Sequence, residues 1–271
     1  IAVINDLSGY GRCSLTVAIP VLSVMGHQCC PVPTAILSNH TEFPVYFFDD
    51  YTEKMTAYTD KWKELGLSFD AVATGFLGSE AQIEIVMDMI RKLESEETFV
   101  VVDPVMGDHG HAYETYTPEM CEQMKELVCM ADIVLPNVTE CCILTDTPYK
   151  KENWTRRELL NMAMMLRLMG AKSVVITGVR EGSYYTNVVL ERGQMEAKFI
   201  RTRSSGGERP GTGDVFSSVV AGALLNGKSL PEAVAQAAGF VKECIKVSDE
   251  EQIPHANGVC FEKILGKLIK K

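Results

Sequence analysis

The chain has 271 residues, of which 46% are hydrophobic and 23% charged, and its formal net charge at pH 7 is -10. These proportions are typical of a soluble globular protein, and no apolar run reaches the roughly 18 residues that a membrane-spanning helix needs. The negative charge repels phosphate backbones and anionic lipids, so we expect neither nucleic-acid nor membrane binding. The nine cysteines show no CxxC spacing. They are expected to be reduced thiols in a cytoplasmic protein, since no signal peptide is visible.

The first predicted unit is a strand, a glycine-bearing loop and a helix. The strand is the apolar run Ile1–Ile4, and the helix runs from Leu15 to Met25 and stops at Gly26. Similar units follow, with strands predicted at 70–75, 98–103, 133–135 and 172–177 and helices at 79–93, 118–130 and 215–225. The predicted fold class is therefore α/β, with three layers and a mostly parallel central sheet covered by helices on both faces.

The pattern changes near the end of this series. Between 183 and 201 it becomes an alternation with a turn at 191–193, which predicts an antiparallel hairpin at the edge of the sheet. No internal repeat or linker interrupts the chain, so residues 1–271 are predicted to form a single domain. Polar residues or glycines stand at or just after five strand ends: Asp6, Gly75, Asp103, Asn137 and Thr177. Because parallel strands bring their carboxyl ends to one edge, these residues predict a ligand site there.

One string matches a phosphate-binding motif without its structural context. Gly222-Ala-Leu-Leu-Asn-Gly227-Lys228-Ser229 fits the P-loop pattern GxxxxGK[ST], which requires a strand before it and a helix after it. Here the string begins inside a predicted helix that ends at Gly227, and Ser229 with Glu232 predicts the capping box of the next helix. We therefore interpret the string as a helix-to-helix turn.

A second glycine-bearing loop lies in the context that phosphate binding requires. Gly211-Thr212-Gly213-Asp214 directly precedes the helix predicted at 215–225. The unpaired N–H groups of a helix N-terminus bind anions such as an ATP phosphate. Asp214 fits either a helix-capping carboxylate or a general base that takes the proton of a hydroxyl during phosphoryl transfer.

Hard oxygen ligands for a metal ion accompany this loop at other strand ends. Asp103 and Asp108 follow one strand, and Asn137 and Glu140 follow another, one helical turn apart. Such groups suit Mg²⁺, which binds through one or two carboxylates, water and substrate phosphates. Taken singly, each group is equally consistent with a helix cap.

Together these motifs resemble a known family of enzymes. Asp103-Pro-Val-Met-Gly-Asp108, Pro136-Asn137-x-x-Glu140 and Gly211-Thr-Gly-Asp214, in that order, resemble the ribokinase-type superfamily of small-molecule kinases. Ser38-Asn39-His40-Thr41 and Ala73-Thr-Gly75-Phe76 are similar to segments of the pyridoxal kinases, the vitamin B6 salvage family. The resemblance covers the whole chain and implies a ribokinase-like fold and ATP-dependent phosphorylation of pyridoxal, pyridoxine or pyridoxamine at the 5′-hydroxymethyl group.

The resemblance also implies roles for individual residues. Asp214 would be the base, and Gly211, Thr212 and Gly213 would form the anion hole. The implied ATP-binding residues are Asn137, Glu140, Thr177, Gly178, Arg209 and Thr212. The implied metal ligands are Asp103, Asp108 and Glu140, with Mg²⁺ as the cofactor, and Asp103 and Thr177 fit positions linked to a monovalent cation such as K⁺ and to the nucleotide.

On the substrate side, the resemblance implies contacts from His40, Thr41, Phe76 and Asp214. Asp6 and Ser8 are alternatives for the contact with the pyridine nitrogen, because many relatives carry a serine just after the first strand. Phe76 stands where several relatives have a tyrosine. The polar stretches 107–116 and 203–210 fit either flexible covers of the site or plain connecting loops.

Other functions remain open on the sequence alone. A hydroxymethylpyrimidine kinase of thiamine metabolism would act on a similar nitrogen heterocycle with a CH₂OH group. A protein that binds a nucleotide or a B6 vitamer without catalysis is the alternative from another class, although binding alone does not require a base at Asp214. The family resemblance also implies a homodimer.

Overall fold

The computed structural model describes residues 1–93, 95 and 97–269. The α-helices within these ranges are α1 (Leu15–Val24), α2 (Thr52–Glu64), α3 (Glu80–Leu93), α4 (Pro118–Cys129), α5 (Val138–Leu144), α6 (Arg156–Met169), α7 (Thr212–Leu225) and α8 (Leu230–Glu250). The strands are β1 (Ala2–Ser8), β2 (Cys30–Leu37), β3 (Phe48–Asp50), β4 (Ala71–Thr74), β5 (Phe99–Val102), β6 (Gly107–Asp108), β7 (His111–Ala112), β8 (Ile133–Val134), β9 (Ser173–Glu181), β10 (Tyr184–Leu190) and β11 (Lys198–Arg203).

Nine of these strands form one mostly parallel sheet. Its strand order is β11-β10-β9-β8-β5-β4-β1-β2-β3. The pairs from β9 through β8, β5, β4 and β1 to β2 are parallel, whereas β3, β10 and β11 join antiparallel at the two edges. The hairpin predicted between 183 and 201 is therefore confirmed as the pair β10–β11. The strands β6 and β7 form a separate small hairpin.

The sheet separates two apolar cores, which gives the predicted three layers. On one face α2 to α6 pack against side chains such as Ile4, Val72 and Val102. On the other face α1, α7 and α8 pack against Val3 and Val101, the neighbours of those residues in the strands. Because successive strand residues point to opposite faces, strands buried on both faces are apolar throughout. The predicted α/β fold class is confirmed.

The elements that the sequence did not indicate lie mainly between residues 48 and 64, together with β6 and β7. β3 is a three-residue edge strand, and α2 has few apolar residues, with only Met55 and Thr59 buried. Too little hydrophobic periodicity was present for a prediction. Within the described ranges, no helix is long and apolar enough to cross a membrane.

The P-loop-like string has the structure that its context predicted. It begins within α7, Asn226 is the C-cap of that helix, and Gly227 adopts a left-handed φ of 83°. Ser229 then caps α8 in a capping box with Glu232. Lys228 is bonded to Gln236 at 2.6 Å, on the surface. The string is therefore a turn between two helices.

Candidate active site

A cavity of about 780 Å³ opens at the carboxyl ends of the central strands. It lies beside β1 and β4, where the chain order of the sheet changes direction, and open α/β sheets bind ligands at such a point. Twelve of the residues predicted to form the site line its wall: Phe76, Asp103, Asp108, Asn137, Glu140, Thr177, Gly178, Arg209, Gly211, Thr212, Gly213 and Asp214. The structure thus brings together residues that are separated by more than 130 positions in the sequence.

The N-terminus of α7 faces this cavity. Gly211 is its N-cap with a left-handed φ of 78°, and a Cβ at this position would lie 1.9 Å from the carbonyl oxygen of Arg12. Gly213 is exposed, and a Cβ there would meet no atom within 4 Å. The first N–H groups of a helix lack a preceding turn to bond to, so they attract an anion together with the helix dipole. A Cβ at Gly211 would displace this cradle.

Asp214 is half-buried in the wall of the cavity, within the first turn of α7. Its Oδ1 accepts a hydrogen bond from Asn5 Nδ2 at 3.1 Å, and the backbone N–H of Ser14 is a second donor to the carboxylate. Burial raises the pKa of Asp214 to about 6; the charge of Asp6 also raises it, while the two donors act against the shift. A carboxylate with such a pKa is ionised at neutral pH and can still accept a proton.

Asp103 and Glu140 are two more carboxyl groups in the same cavity wall. Burial, reinforced by the charge of Asp214, raises the pKa of Asp103 to about 8. Burial and the charge of Asp103 raise the pKa of Glu140 well above its usual range. The groups therefore repel one another when ionised, which is the condition that a bound cation relieves.

No three carboxylate, histidine or cysteine side chains within the described part of the chain converge into a ready-made metal cage. Asp108 is exposed, whereas Glu140 is buried and its two oxygens accept backbone N–H bonds from Met106 and Asn137. This donor set fits a Mg²⁺ ion that takes most of its ligands from phosphates and water.

Asn137 and Glu140 begin α5 with a reciprocal capping box. The Asn137 side chain accepts the N–H of Glu140 and donates to the carbonyl of Gly107 at 2.9 Å. Its backbone also forms an isolated bridge with Thr177 of β9. The predicted helix cap is therefore confirmed, and the two capping residues also line the cavity.

Gly178 interrupts the regular pairing of β9. It adopts a left-handed φ of 67°, and its N–H donates to Asn187 Oδ1 at 3.1 Å. The pairing register with β10 shifts between Thr186 and Val188, opposite this residue. The irregularity exposes backbone in the cavity wall next to Thr177.

The two residues predicted for the pyridine nitrogen are not in the cavity wall. Asp6 is 6% exposed and Ser8 1% exposed, and Asp6 accepts hydrogen bonds from Ser8 Oγ at 2.7 Å and Ser14 Oγ at 2.5 Å. The contact of one of them with the pyridine nitrogen stays a prediction, because these bonds show only how the two side chains are held. A buried carboxylate needs such donors, and here the two serines supply them. Ser14, which the sequence did not single out, reaches the cavity instead.

His40 and Thr41 also lie outside the wall of the described cavity. His40 Nε2 donates to the Ala256 carbonyl at 2.7 Å, and its Nδ1 accepts the N–H of Glu42 at 3.3 Å. Both ring nitrogens are thus engaged with backbone, which argues against the predicted role of His40 as a direct polar contact. Thr41 is exposed beside it. Phe76, by contrast, is in the wall and half-buried.

The predicted phosphate contact Arg209 has close partners within the protein. Its guanidinium donates to Asp249 Oδ1 at 2.8 Å and to the carbonyl of Ile253 at 2.9 Å. These bonds fix the loop before Gly211, so Arg209 acts as a clamp in this structure. Nearby, the two stretches predicted as covers approach each other, since His109 Nε2 lies 3.5 Å from Glu208 Oε2.

Asn5 is the main site residue that sequence reasoning missed. It directly follows the apolar run Ile1–Ile4 in the sequence, and in the structure it contacts Asp214 across 209 positions. No spacing within the sequence carries that information. The signal that could have found it is its place at a strand end next to Asp6, at the edge where the other site residues were expected.

Comparisons with known proteins show the family to which the chain belongs. The model of the phosphomethylpyrimidine kinase family matches residues 19–260. A crystal structure of a candidate phosphomethylpyrimidine kinase from Bacteroides thetaiotaomicron, in a form with pyridoxal, is 40% identical with a TM-score of 0.94 and covers 98% of this chain and 94% of that one.

Two curated relatives carry the names of two substrates. The pyridoxine kinase of Bacillus subtilis is 30% identical over 216 residues, 78% of this chain and 74% of its own length. A hydroxymethylpyrimidine/phosphomethylpyrimidine kinase of Aquifex aeolicus is 30% identical over 178 residues, 65% of this chain and 67% of its own length. The resemblance to pyridoxal kinases is confirmed, and the chain belongs to the phosphomethylpyrimidine kinase family, among the ribokinase-like kinases.

Proposed function

We propose that this kinase transfers the γ-phosphoryl group of ATP to the 5′-hydroxymethyl group of pyridoxal, pyridoxine or pyridoxamine. The observation that carries the proposal is the position of Asp214: an ionisable carboxylate lies within the first turn of a helix whose N-terminus faces the same cavity. Phosphoryl transfer needs both a proton acceptor and an anion cradle, and here they are adjacent.

Asp214 would accept the hydroxyl proton as the alcohol oxygen attacks the γ-phosphorus. The N–H groups at Gly211, Thr212 and Gly213 would stabilise the charge on the transferring phosphoryl group. The backbone at these positions is already held, because Thr212 Oγ1 donates to the Arg209 carbonyl at 3.0 Å and Arg209 is clamped to α8. A preformed cradle needs little rearrangement during the reaction.

ATP would extend from the cradle along the wall formed by β9, β11 and α8. This arm of the cavity includes Thr177, Gly178, Thr202, Ala238 and Val241, a mixture of backbone and apolar surface that suits a nucleotide. Glu140 and Asp108 would hold Mg²⁺ and its waters, and Asp103 with Thr177 lies where K⁺ is expected. Bound Mg²⁺ would neutralise charge on the phosphates.

The vitamin ring would lie against Phe76, which provides an aromatic face near Asp214. The pyridoxal in the Bacteroides thetaiotaomicron crystal form supports a B6 vitamer as the substrate. Asp6, Ser8 and His40 are buried outside the wall and would act from behind it, whereas Thr41 is exposed beside His40.

Product formation with defined alcohols tests the proposal. The purified chain, ATP and Mg²⁺ are incubated with each B6 vitamer, and the 5′-phosphate is measured by chromatography. We expect turnover with at least one vitamer at a kcat/KM well above that with the other heterocycles. Absence of any vitamer phosphate while another alcohol is phosphorylated would reject the substrate and retain the kinase.

The second candidate is a hydroxymethylpyrimidine kinase. It is favoured by the matching family model and by the Aquifex aeolicus relative. The same assay with hydroxymethylpyrimidine and its phosphate discriminates the two substrates. A protein that only binds ATP or a vitamer would show heat of binding by calorimetry and no phosphorylated product.

Three further expectations belong to the same proposal. Residues 1–271 would act as one kinase domain, the protein would work in the cytoplasm, and it would be a homodimer. Light scattering of the purified protein measures the mass directly, and the mass expected for a dimer is twice 29.9 kDa.

A further inference from the structure

The orientation of the Asn5 side chain is fixed by its neighbours. Asn5 is 6% exposed, and its Oδ1 accepts the backbone N–H groups of Asp6 and Phe76, each at 2.9 Å. Since both of these partners are donors, the oxygen must face them and the NH₂ group must face Asp214. The 3.1 Å bond from Nδ2 to Asp214 Oδ1 therefore has one assignment.

The neighbouring strand leaves room for only this arrangement. A Cβ at Gly75 would lie 2.3 Å from Asn5 Nδ2, and the N–H of Gly75 donates to the Ile4 carbonyl at 2.8 Å. The amide is thus enclosed between β1 and the end of β4. It cannot turn away from Asp214 without losing two backbone partners.

The second donor to Asp214 is held by the next residue of β1. Ser14 has a left-handed φ of 54°, which is costly for a residue other than glycine. Its hydroxyl is bonded to the buried carboxylate of Asp6. Asp6 thereby holds the residue whose backbone N–H acts to lower the pKa of Asp214.

We propose that Asn5 is a positioning residue that aims the Asp214 carboxylate and links it to the loop that bears Phe76, with Asp6 acting on the same carboxylate through Ser14. This inference rests on the proposed function. The Asn5 side-chain amide is bonded both to Asp214 and to the backbone N–H of Phe76. A shift of Phe76 would therefore be transmitted to the Asp214 carboxylate. Direct contact with the substrate is not required of Asn5.

Several charged or titratable groups face Asp214 and enter any test that varies pH. The charge of Asp6 acts on it from β1, and Cys13 lies in the loop after that strand, Asp103 just after β5, and Tyr113 just after β7. Each of these four side chains carries or can acquire a negative charge. The Asn5 side chain, by contrast, is a donor that favours the ionised form of Asp214, together with the backbone N–H groups of Ser14 and of Asp214 itself.

The test is Asn5→Asp, which keeps the shape and the two acceptor contacts but replaces the donor by a carboxylate. We expect kcat to fall at least ~10-fold near pH 7 while the KM for ATP stays within about 3-fold. The acid limb of the kcat/KM profile should move up by at least about one pH unit, so raising the pH restores part of the rate. A purely structural role would move the melting temperature and not the profile.

Asn226→Asp is the matched control. Asn226 also uses its amide across the chain, donating to the Met25 carbonyl at 3.1 Å, but it lies at the far end of α7. We expect the control to keep the wild-type pH profile. If Asn5→Asp does not fold, Asn5→Ser removes the amide without adding charge and should shift the acid limb in the same direction by a smaller amount.

A folded Asn5→Asp protein with the wild-type kcat and acid limb would overturn the inference. A ¹³C NMR titration of the Asp214 carboxyl carbon separates this outcome from failure of the proposed function. If the wild-type protein phosphorylates none of the tested alcohols, the proposed function fails, and the titration still reports on Asn5. If Asp214 titrates at the same pH in the wild-type and Asn5→Asp proteins, the inference is overturned, whether or not the wild-type protein phosphorylates an alcohol.

Discussion

The two ends of α7 carry similar sequences and have opposite chemical surroundings. Gly211-Thr212-Gly213-Asp214 stands at its N-terminus, and Gly222 to Ser229 runs from its last turn into the following turn. Both segments contain a glycine with a left-handed φ, at Gly211 and Gly227. Only the second segment matches a widely used phosphate-binding pattern, but only the first lines the cavity.

The direction of the helix explains the difference. At the N-terminus the free groups are N–H donors at the positive end of the dipole, whereas at the C-terminus they are carbonyl acceptors at the negative end. Here the C-terminal carbonyls are also used, because the N–H groups of Asn226, Gly227 and Lys228 bond back to Gly222, Leu224 and Ala223. The comparison teaches that a glycine-rich string binds phosphate only when the N–H groups of its backbone remain free.

The largest effect is expected from removing the base at the N-terminal end. Asp214→Ala should lower kcat at least ~10²-fold because no other group accepts the hydroxyl proton as the substrate oxygen attacks. Nucleotide affinity should change little, since the cradle is made of backbone. Steady-state kinetics and calorimetric titration with ADP measure the two quantities. A kcat near that of the wild-type protein would show that Asp214 is only a helix-capping residue.

The next effect compares the two left-handed glycines directly. In Gly211→Ala the Cβ would meet the Arg12 carbonyl at 1.9 Å, so the cradle must shift, and we expect kcat to fall by about 10- to 100-fold. In Gly227→Ala the Cβ meets nothing within 4 Å, and the cost is backbone strain of about 1 to 3 kcal/mol in stability. Kinetics and thermal melts of both proteins test this. Equal kinetic losses would mean that the cradle has no special role.

A smaller effect follows from the pKa of Asp214. Burial raises this pKa from 3.8 to about 6, and the ionised form is the active one, so kcat/KM should fall about tenfold per pH unit below about pH 6. The folded chain holds the Asp214 proton more tightly than the unfolded chain, so the contribution of this group to stability is present below pH 3.8 and is lost as the pH rises through about 6.

Asp214→Asn separates these two consequences. It removes the ionisation, and we expect a higher melting temperature than wild type at pH 8 together with a severe loss of activity. The melting temperature and the rate are measured on the same samples across the pH range. A lower melting temperature at pH 8 would show that the ionised carboxylate stabilises the fold, contrary to the sign argued from its raised pKa.

The sequence was sufficient for the parts of the fold that depend on local pattern. Apolar strands such as Phe99–Val102 and capped helices such as Pro118–Cys129 carry their own periodicity and end signals. The gathering of Asp103, Asn137 and Thr177 at one sheet edge followed from the parallel topology alone. The short edge strand Phe48–Asp50 lacked any such signal, because its position depends on pairing with β2.

The limits of the sequence are clearest for contacts between distant residues. Asn5 and Asp214 are 209 positions apart, and their bond depends on how two strands and a helix pack. The motif around His40 was recognised, but motif resemblance cannot show that its ring nitrogens bond to Ala256 and Glu42. Side-chain direction at Asp6 and Ser8 was equally undetermined, since both alternatives share the same end of one strand.

The smallest effect is expected at the C-terminal end of α7. Lys228 is bonded to Gln236 on the surface and contributes no described atom to the cavity wall. We expect Lys228→Ala to keep kcat and the KM for ATP within about twofold, because an exposed hydrogen-bonded lysine contributes about 1 kcal/mol or less to stability. The lysine of a true P-loop contacts the β- and γ-phosphates, so its loss would instead abolish turnover. Steady-state kinetics with varied ATP decides between the two ends of the helix. If Lys228→Ala lowered kcat as much as is expected for Asp214→Ala, the nucleotide would bind at the C-terminal end of α7, contrary to the proposed mechanism.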